Sequence, residues 1–294
     1  MVEKTTKSRV AFNIINYALL ALFCLICFAP IWHVAMSSIS DPRMLMMATG
    51  INWTPAGDIQ WRAYEMVLNN RGIILGYFNT FIYVTAGTLL GLFLTATAGY
   101  VLSTKTKLRG PLMIMLVITM MFSGGLIPSY IVNMSLGLID NRWAVILPGA
   151  TNAFFVIIMK NAFEQLPESF AESAKLDGAG PLTILIKILL PMVKATLAVI
   201  AMFLIMMRWN SWFHEAIYLA RSRDLWPLQL VMREILVQRD VTTVTAGEAQ
   251  AMANLMVEPI RHAVTIAGTL PVLFVYPFVQ KYFVAGITLG GVKG

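Results

Sequence analysis

The sequence predicts an all-α integral membrane protein of six transmembrane helices with both termini in the cytosol, and three observations predict it. Hydrophobic residues make up 58% and charged residues 13% of the 294 residues, at a mean hydropathy of +0.71, where a soluble domain carries about a quarter charged residues. Long stretches contain no Lys, Arg, Asp or Glu. The remaining charges are sorted by side: alternate segments hold all ten Lys and the whole net charge of +7, while the others hold ten Arg balanced by ten Asp or Glu. Basic excess marks the cytosolic segments. Six helices and their loops leave no room for a separate soluble catalytic domain.

Each element follows in order. Residues 1–9, with Lys4, Lys7 and Arg9, form a cytosolic N-terminus. The charge-free runs 10–40, 72–104, 110–139, 143–159 and 262–280 can each cross the roughly 30 Å of hydrocarbon. The first is too long for the apolar region of a signal peptide and reads as a retained span. In the third, Ser123-Gly124-Gly125 followed by Pro128 predicts a helix ending near Ile127 and a short loop to Arg142. A further span over 188–207 is interrupted only by Lys194, close enough to its start for the ammonium to snorkel to the headgroups. The transmembrane domain then covers 10–284, with extracytoplasmic loops at about 38–71, 128–142 and 208–261, a cytosolic loop at 160–191 and a cytosolic tail at 285–294. Residues 288–294 are Gly-rich and have no apolar face to bury, so alone they are expected to be irregular.

The loop 160–191 carries the most specific pattern. Phe163, Leu166, Phe170 and Ala174 recur at three- and four-residue steps, which predicts one face of a short helix that docks onto a partner. Gly178 suits the left-handed residue that ends such a helix. Pro181 suits the first turn of the next one, and Pro191 is expected to bend the chain as it enters the following span. The outcome is helix, sharp turn, helix at the membrane surface.

On the opposite side, Trp53, Trp61, Tyr64, His214, Tyr218 and Trp226 read as interfacial anchors, with the alternative that some of these rings stack on a ligand. Trp209, Asn210 and Trp212 stand at the outer end of the fifth span, where rings beside an amide can stack on and hydrogen-bond a sugar. Cys24 and Cys27 sit in mid-span without a redox context and read as small apolar side chains. His33, His214 and His262 have no carboxylate at ligand spacing, which argues against a zinc site or a hydrolase. No Gly-rich phosphate-binding loop with Lys and Ser or Thr occurs, so ATP hydrolysis by that route is excluded. The 19 Met read as packing and lipid-facing residues.

The run Glu172-Ser173-Ala174-Lys175-Leu176-Asp177-Gly178-Ala179, followed by Ile188-Leu189-Leu190-Pro191, resembles the signature of the membrane subunits of ABC importers, with Ser173 in place of Ala. Asn210 with its tryptophans, Leu270-Pro271, Gln280-Lys281-Tyr282-Phe283 and Gly290-Gly291-Val292-Lys293-Gly294 resemble the smaller permease subunit of carbohydrate importers, among them the maltose importer. Leu185 and Ala195 depart from that pattern but stay apolar. The resemblance implies a type I importer core in a bacterial cytoplasmic membrane. It further implies a second homologous permease, two cytosolic ATP-binding subunits, an extracytoplasmic solute-binding protein and an oligosaccharide cargo; nucleic acid has no part. Glu168, Phe170, Glu172, Ser173, Ala174, Asp177, Gly178, Ala179, Leu190 and Pro191 would couple to the ATPase, and Gly290 to Gly294 would touch it. This chain would hold no cofactor, ATP and Mg being bound by the ATPases, and would be non-catalytic.

Other readings are weaker. A permease for peptides or amino acids would share the Gly and Leu-Pro spacing. A membrane enzyme needs clustered ionisable groups that the spans lack, and a channel needs no coupling loop. The exclusive use of Arg outside suits an acidic cargo such as a uronate oligosaccharide. Ion pairing with the ten acidic residues accounts for the same Arg with a neutral cargo, so both remain open.

Overall fold

A computed structural model describes residues 7–238 and 255–291. The chain divides into two compact units, one of residues up to Asn70 with Glu234–Thr269, the other of Arg71–Arg233 with the segment from Leu270.

In the first unit, α1 (Lys7–Ser38) is hydrophobic all round and exposes Phe12, Tyr17 and Phe23, burying only Ser37 and Ser38. That is the signature of a helix solvated by lipid. The chain beyond it is pinned by polar bonds: Trp32 Nε1 donates to the Trp53 carbonyl at 2.9 Å, and His33 Nδ1 accepts from the Asn52 amide at 3.0 Å. The Asp41 carboxylate caps α2 (Pro42–Met47) through the amides of Arg43 and Met44 and accepts from Gln60 at 2.6 Å. The short α3 (Arg62–Leu68) closes this segment.

The second unit is organised around α4 (Arg71–Ser103). Its small residues let backbones approach: a Cβ on Gly91 would lie 2.8 Å from the Ala150 carbonyl oxygen, and one on Gly99 2.9 Å from Met159 Cγ. Three of its buried residues bond the segment 224–228. Asn79 donates to the carbonyls of Asp224 and Trp226, Tyr83 donates to that of Leu225 at 2.7 Å, and Thr80 accepts from the Leu228 amide at 2.8 Å. α4 thus holds the turn at Arg223–Leu225 by donating to the carbonyls of residues 224–226.

After α4 come α5 (Arg109–Met121), α6 (Leu126–Ser135), α7 (Trp143–Ile146), α8 (Ala153–Glu164) and α9 (Ser169–Leu176). There follow α10 (Pro181–Thr183), a π-helical stretch Ile184–Leu189 and α11 (Leu190–Met192). After these come α12 (Lys194–Trp209), α13 (Phe213–Tyr218) and α14 (Leu228–Gln238). The last helix, α15, runs Val257–Gly291.

Several expected boundaries move. Among the described residues α1 and α4 are each long and apolar enough to cross a membrane, and two bent pairs, α5 with α6 and Pro181–Met192 with α12, pass the same test together. The third span breaks after Met121 rather than near Ile127, turning through 117°. Gly125 adopts φ +83 before α6, and Pro128 lies in the first turn of that helix rather than in a loop. The run 143–159 is not one helix: Gly149, at φ +70 beside Pro148, separates α7 from α8. The bend expected at Pro191 comes two residues later, at Val193, where the axis turns by 90°. Residues 188–192 therefore belong to the preceding arm, and α12 starts at Lys194. At the other end α15 continues through residues 288–291, where an irregular tail was expected; extending a long helix costs far less than nucleating one. Val292, Lys293 and Gly294 lie outside the described residues.

Candidate coupling arm and outer cavity

Residues 165–192 form an arm of α9, a tight turn and the π-containing helix. Gly178 has φ +81 and nothing near the place a Cβ would occupy. The Ala179 amide donates to the Ala174 carbonyl at 2.9 Å and the Gly178 amide to that of Lys175 at 3.0 Å, the paired bonds that close a helix on a left-handed residue. Gly180 then caps α10, with Pro181 at its first position. The π-helical stretch has no sequence signal in a 3.6-residue reading. It turns Ile184, Leu185 and Leu189 into a core with Phe163, Ala174 and Ile200.

The helix face expected over Phe163, Leu166, Phe170 and Ala174 does not exist as one face. Pro167 sits between α8 and α9, and Phe163 belongs to the first while Phe170 and Ala174 belong to the second. Phe163 and Ala174 are buried together, with Leu166 packed on them, so they seat the arm. Its free surface is formed instead by Phe170, Glu172, Ser173, Leu176 and Asp177, with Leu176 89% exposed. Leu176 is the residue that spacing alone passed over. Pro191 is exposed, and the half-buried Leu190 and Ala179 pack against the core.

Ion pairs tie the arm to the turn after α4. Lys105 Nζ lies 2.6 Å from Glu168 Oε1, and the hydrogen bond to Glu168 holds the Lys105 ammonium above its ordinary pKa. Glu164 is gripped from both sides, by Lys160 Nζ at 2.7 Å on one oxygen and by the Arg109 guanidinium on the other. Lys160 is buried, so this cation has its partner where it needs one.

At the other end of the unit a cavity of about 850 Å³ opens between α6, α7, α12 and α13. Its wall is mostly apolar, with Val132, Leu138 and Leu204, and polar groups come from Asn133, Arg208, His214, Glu215 and Tyr218. The Arg208 guanidinium donates to the carbonyls of Val145 and Ile146 at 2.8 and 3.0 Å, joining α12 to α7. Only glycine at position 87 leaves room for it, since a Cβ there would fall 2.2 Å from Arg208 Nε. Glu215, 5% exposed, accepts from Ser211 Oγ at 2.7 Å. Burial raises the Tyr218 phenol above its ordinary pKa, which keeps it a neutral hydroxyl. This mixture of apolar wall and few polar groups is that of a pocket for a small organic ligand.

Trp209, Asn210 and Trp212 are not among the residues that line this cavity. Asn210 donates to the Met206 carbonyl at 2.9 Å, and the Arg233 guanidinium lies 4.3 Å from the Trp212 ring centre, covering one face. Of the aromatic residues expected to anchor or to stack on a ligand, His214 and Tyr218 do line the cavity, whereas nothing local in the sequence marks Arg208 or Glu215 as its wall.

No family model matches the chain. It is 37% identical over 287 residues to the polygalacturonan/rhamnogalacturonan transport system permease protein YtcP of Bacillus subtilis (strain 168), covering 96% of this chain and 98% of that one. It is 40% identical over 233 residues to protein LplC of the same organism, covering 79% of this chain and 78% of that one. Among solved structures it resembles a chain of a bacterial ABC transporter involved in the import of the acidic polysaccharide alginate. That likeness has a TM-score of 0.85 at 32% identity, over 96% of this chain and all of the other.

Proposed function

The chain belongs to the permease subunits of carbohydrate ABC importers, and from that premise we propose that it supplies one half of the translocation path for an acidic oligosaccharide. The observation that carries this reading is the full-length likeness to a chain of the alginate importer, joined by a relative whose named cargo is polygalacturonan, another polymer of uronic acids. The ten outer Arg fit it, because a guanidinium meets a carboxylate with two parallel bonds.

In this reading the chain crosses the bacterial cytoplasmic membrane six times with both termini inside, through α1, α4, α5, the segment of α7 and α8, α12 and α15. It is non-catalytic and works with a second permease, a solute-binding protein and two ATPases that hold ATP and Mg. Phe170, Glu172, Ser173, Leu176 and Asp177 offer the arm's free surface to an ATPase, and closure of the ATPases moves the arm as a rigid lever between inward- and outward-open states. An apolar gap of about 120 Å³ between α4 and the arm, lined by Leu92, Phe93, Leu182 and Ile186, leaves room for that movement. The cavity beside Arg208 and Tyr218 is this subunit's share of the path.

The test is reconstitution of the complete importer with its binding protein in vesicles. ATP-driven uptake of galacturonate or other uronate oligomers is the expected result. Uptake restricted to peptides or amino acids would overturn the reading.

A further inference from the structure

The α5 helix is attached to its surroundings in an unusual way. Among the described residues none of its thirteen positions is fully buried; Met113 and Leu116 are half-buried where α5 meets α4 and α8, a light packing that leaves its position open to small shifts. Its cytosolic end, however, is tied to the arm. Arg109, the first residue of α5, grips Glu164 at the end of α8, and Lys105 in the turn just before it pairs with Glu168 at the start of α9. Lys160 completes the Glu164 site from within the core, with only 10% of its side chain exposed. Two acids flanking Pro167 therefore hold two cations that flank the start of α5. At its outer end α5 turns through 117° into α6, and α6 supplies Pro128, Ser129, Val132 and Asn133 to the cavity wall.

We propose that Glu168, at the start of the arm, and Glu164, at the end of α8 just before it, form an ionic clamp by which the α8–arm junction drives α5, and through α5 and α6 the wall of the outer cavity. Arg109 and Lys105 are then positioning residues for transport, and the arm acts on two elements at once: α12 through the continuous chain and α5 through the clamp. The proposal rests on the coupling role given to the arm above. It assigns the tie to two ion pairs because α5 has no fully buried side chain to carry the load. A path of contacts is not evidence of coupling by itself, so the pairs have to be tested as pairs.

Lys105 and Glu168 are 77% and 66% exposed, so their charges can be exchanged without loss of a core contact. In the complete importer in vesicles, K105E and E168K singly are expected to lower the cargo moved per ATP about threefold, the scale of one lost ion pair, while ATP turnover persists. The K105E/E168K exchange should restore the ratio. E164Q should lower it further, since two cations lose their partner, and R109K should keep most of it. Amide exchange in residues 104–108 should rise in each single variant and return in the exchanged pair. Wild-type ratios in K105E and E168K, or a K105E/E168K variant no better than either, would overturn the clamp. A wild-type complex without ATP-driven uptake would instead overturn the function on which it rests, and the amide-exchange pattern would still report whether the clamp exists.

Discussion

The backbone amide of Ala179 donates to the carbonyl of Ala174 at 2.9 Å, folding the chain back over Gly178 at φ +81. This bond fixes the angle at which α9 meets the second half of the arm. A left-handed residue other than glycine costs about 1–2 kcal/mol, and a β-branched one more.

Replacing Gly178 by Val should therefore abolish uptake while leaving the protein inserted in the membrane, with ATP turnover no longer raised by loaded binding protein. Gly178→Asn, which tolerates the left-handed region, should retain much of the activity. The added Cβ meets no neighbouring atom, so a normal Gly178→Val transporter would mean the arm's geometry is not what transmits the stroke.

The turn was legible in the sequence because its causes are local. Gly178 and Pro181 act on their own backbone, and the structure places both as their chemistry requires. The division of the Phe163–Ala174 run into two helices had a local sign in Pro167, which three- and four-residue periodicity alone masks. Still less visible were the partners that are close only in space. Nothing near Gly87 announces Arg208, and nothing near Trp212 announces Arg233. The division of 143–159 by Gly149 had a local sign in Pro148-Gly149, which hydropathy alone masks.

The arm's free surface yields a second expectation. Leu176 is 89% and Phe170 45% exposed, apolar side chains left in water unless a partner covers them. Leu176→Asp and Phe170→Ala should weaken co-purification of the ATPase without reducing the amount of permease in the membrane. Glu172→Lys should lower stimulated ATP turnover. A full complement of ATPase with Leu176→Asp would place the docking surface elsewhere.

Arg208 is expected to matter for stability before it matters for cargo. Both terminal nitrogens are spent on the carbonyls of Val145 and Ile146. Leaving buried carbonyls unpaired costs about 1–3 kcal/mol each. Arg208→Met should lower the melting temperature of the complex by several degrees, and Gly87→Leu should do the same from the other side by displacing the guanidinium. If the two variants were neutral in thermal unfolding but changed uptake, Arg208 would be a cargo residue and not a brace between α7 and α12.

A single copy carries one arm and one cavity wall, so the chain purified alone, or with only the ATPase, is expected to give no transport. Recovery of an active transporter containing this permease as the only membrane subunit would show a homodimer and remove the need for a second, homologous permease.

The cargo prediction sets two observations against each other. Ten outer Arg favour an anionic oligosaccharide, and the likeness to an importer of alginate points the same way. Yet Arg208 is committed to main-chain carbonyls and Arg233 to the face of Trp212, while Arg261 pairs with Glu258 at 2.8 Å, so part of the count is structural. Arg223 likewise lies over the Trp226 ring at 5.0 Å, and the apolar cavity wall with Tyr218 and Asn133 suits the uncharged part of a sugar. Matched oligomers separate these contributions. Stimulated ATP turnover should be highest with uronate oligomers and should drop as salt rises, because screening weakens exposed charge pairs. Stimulation by the neutral series alone, indifferent to salt, would rule out an acidic cargo.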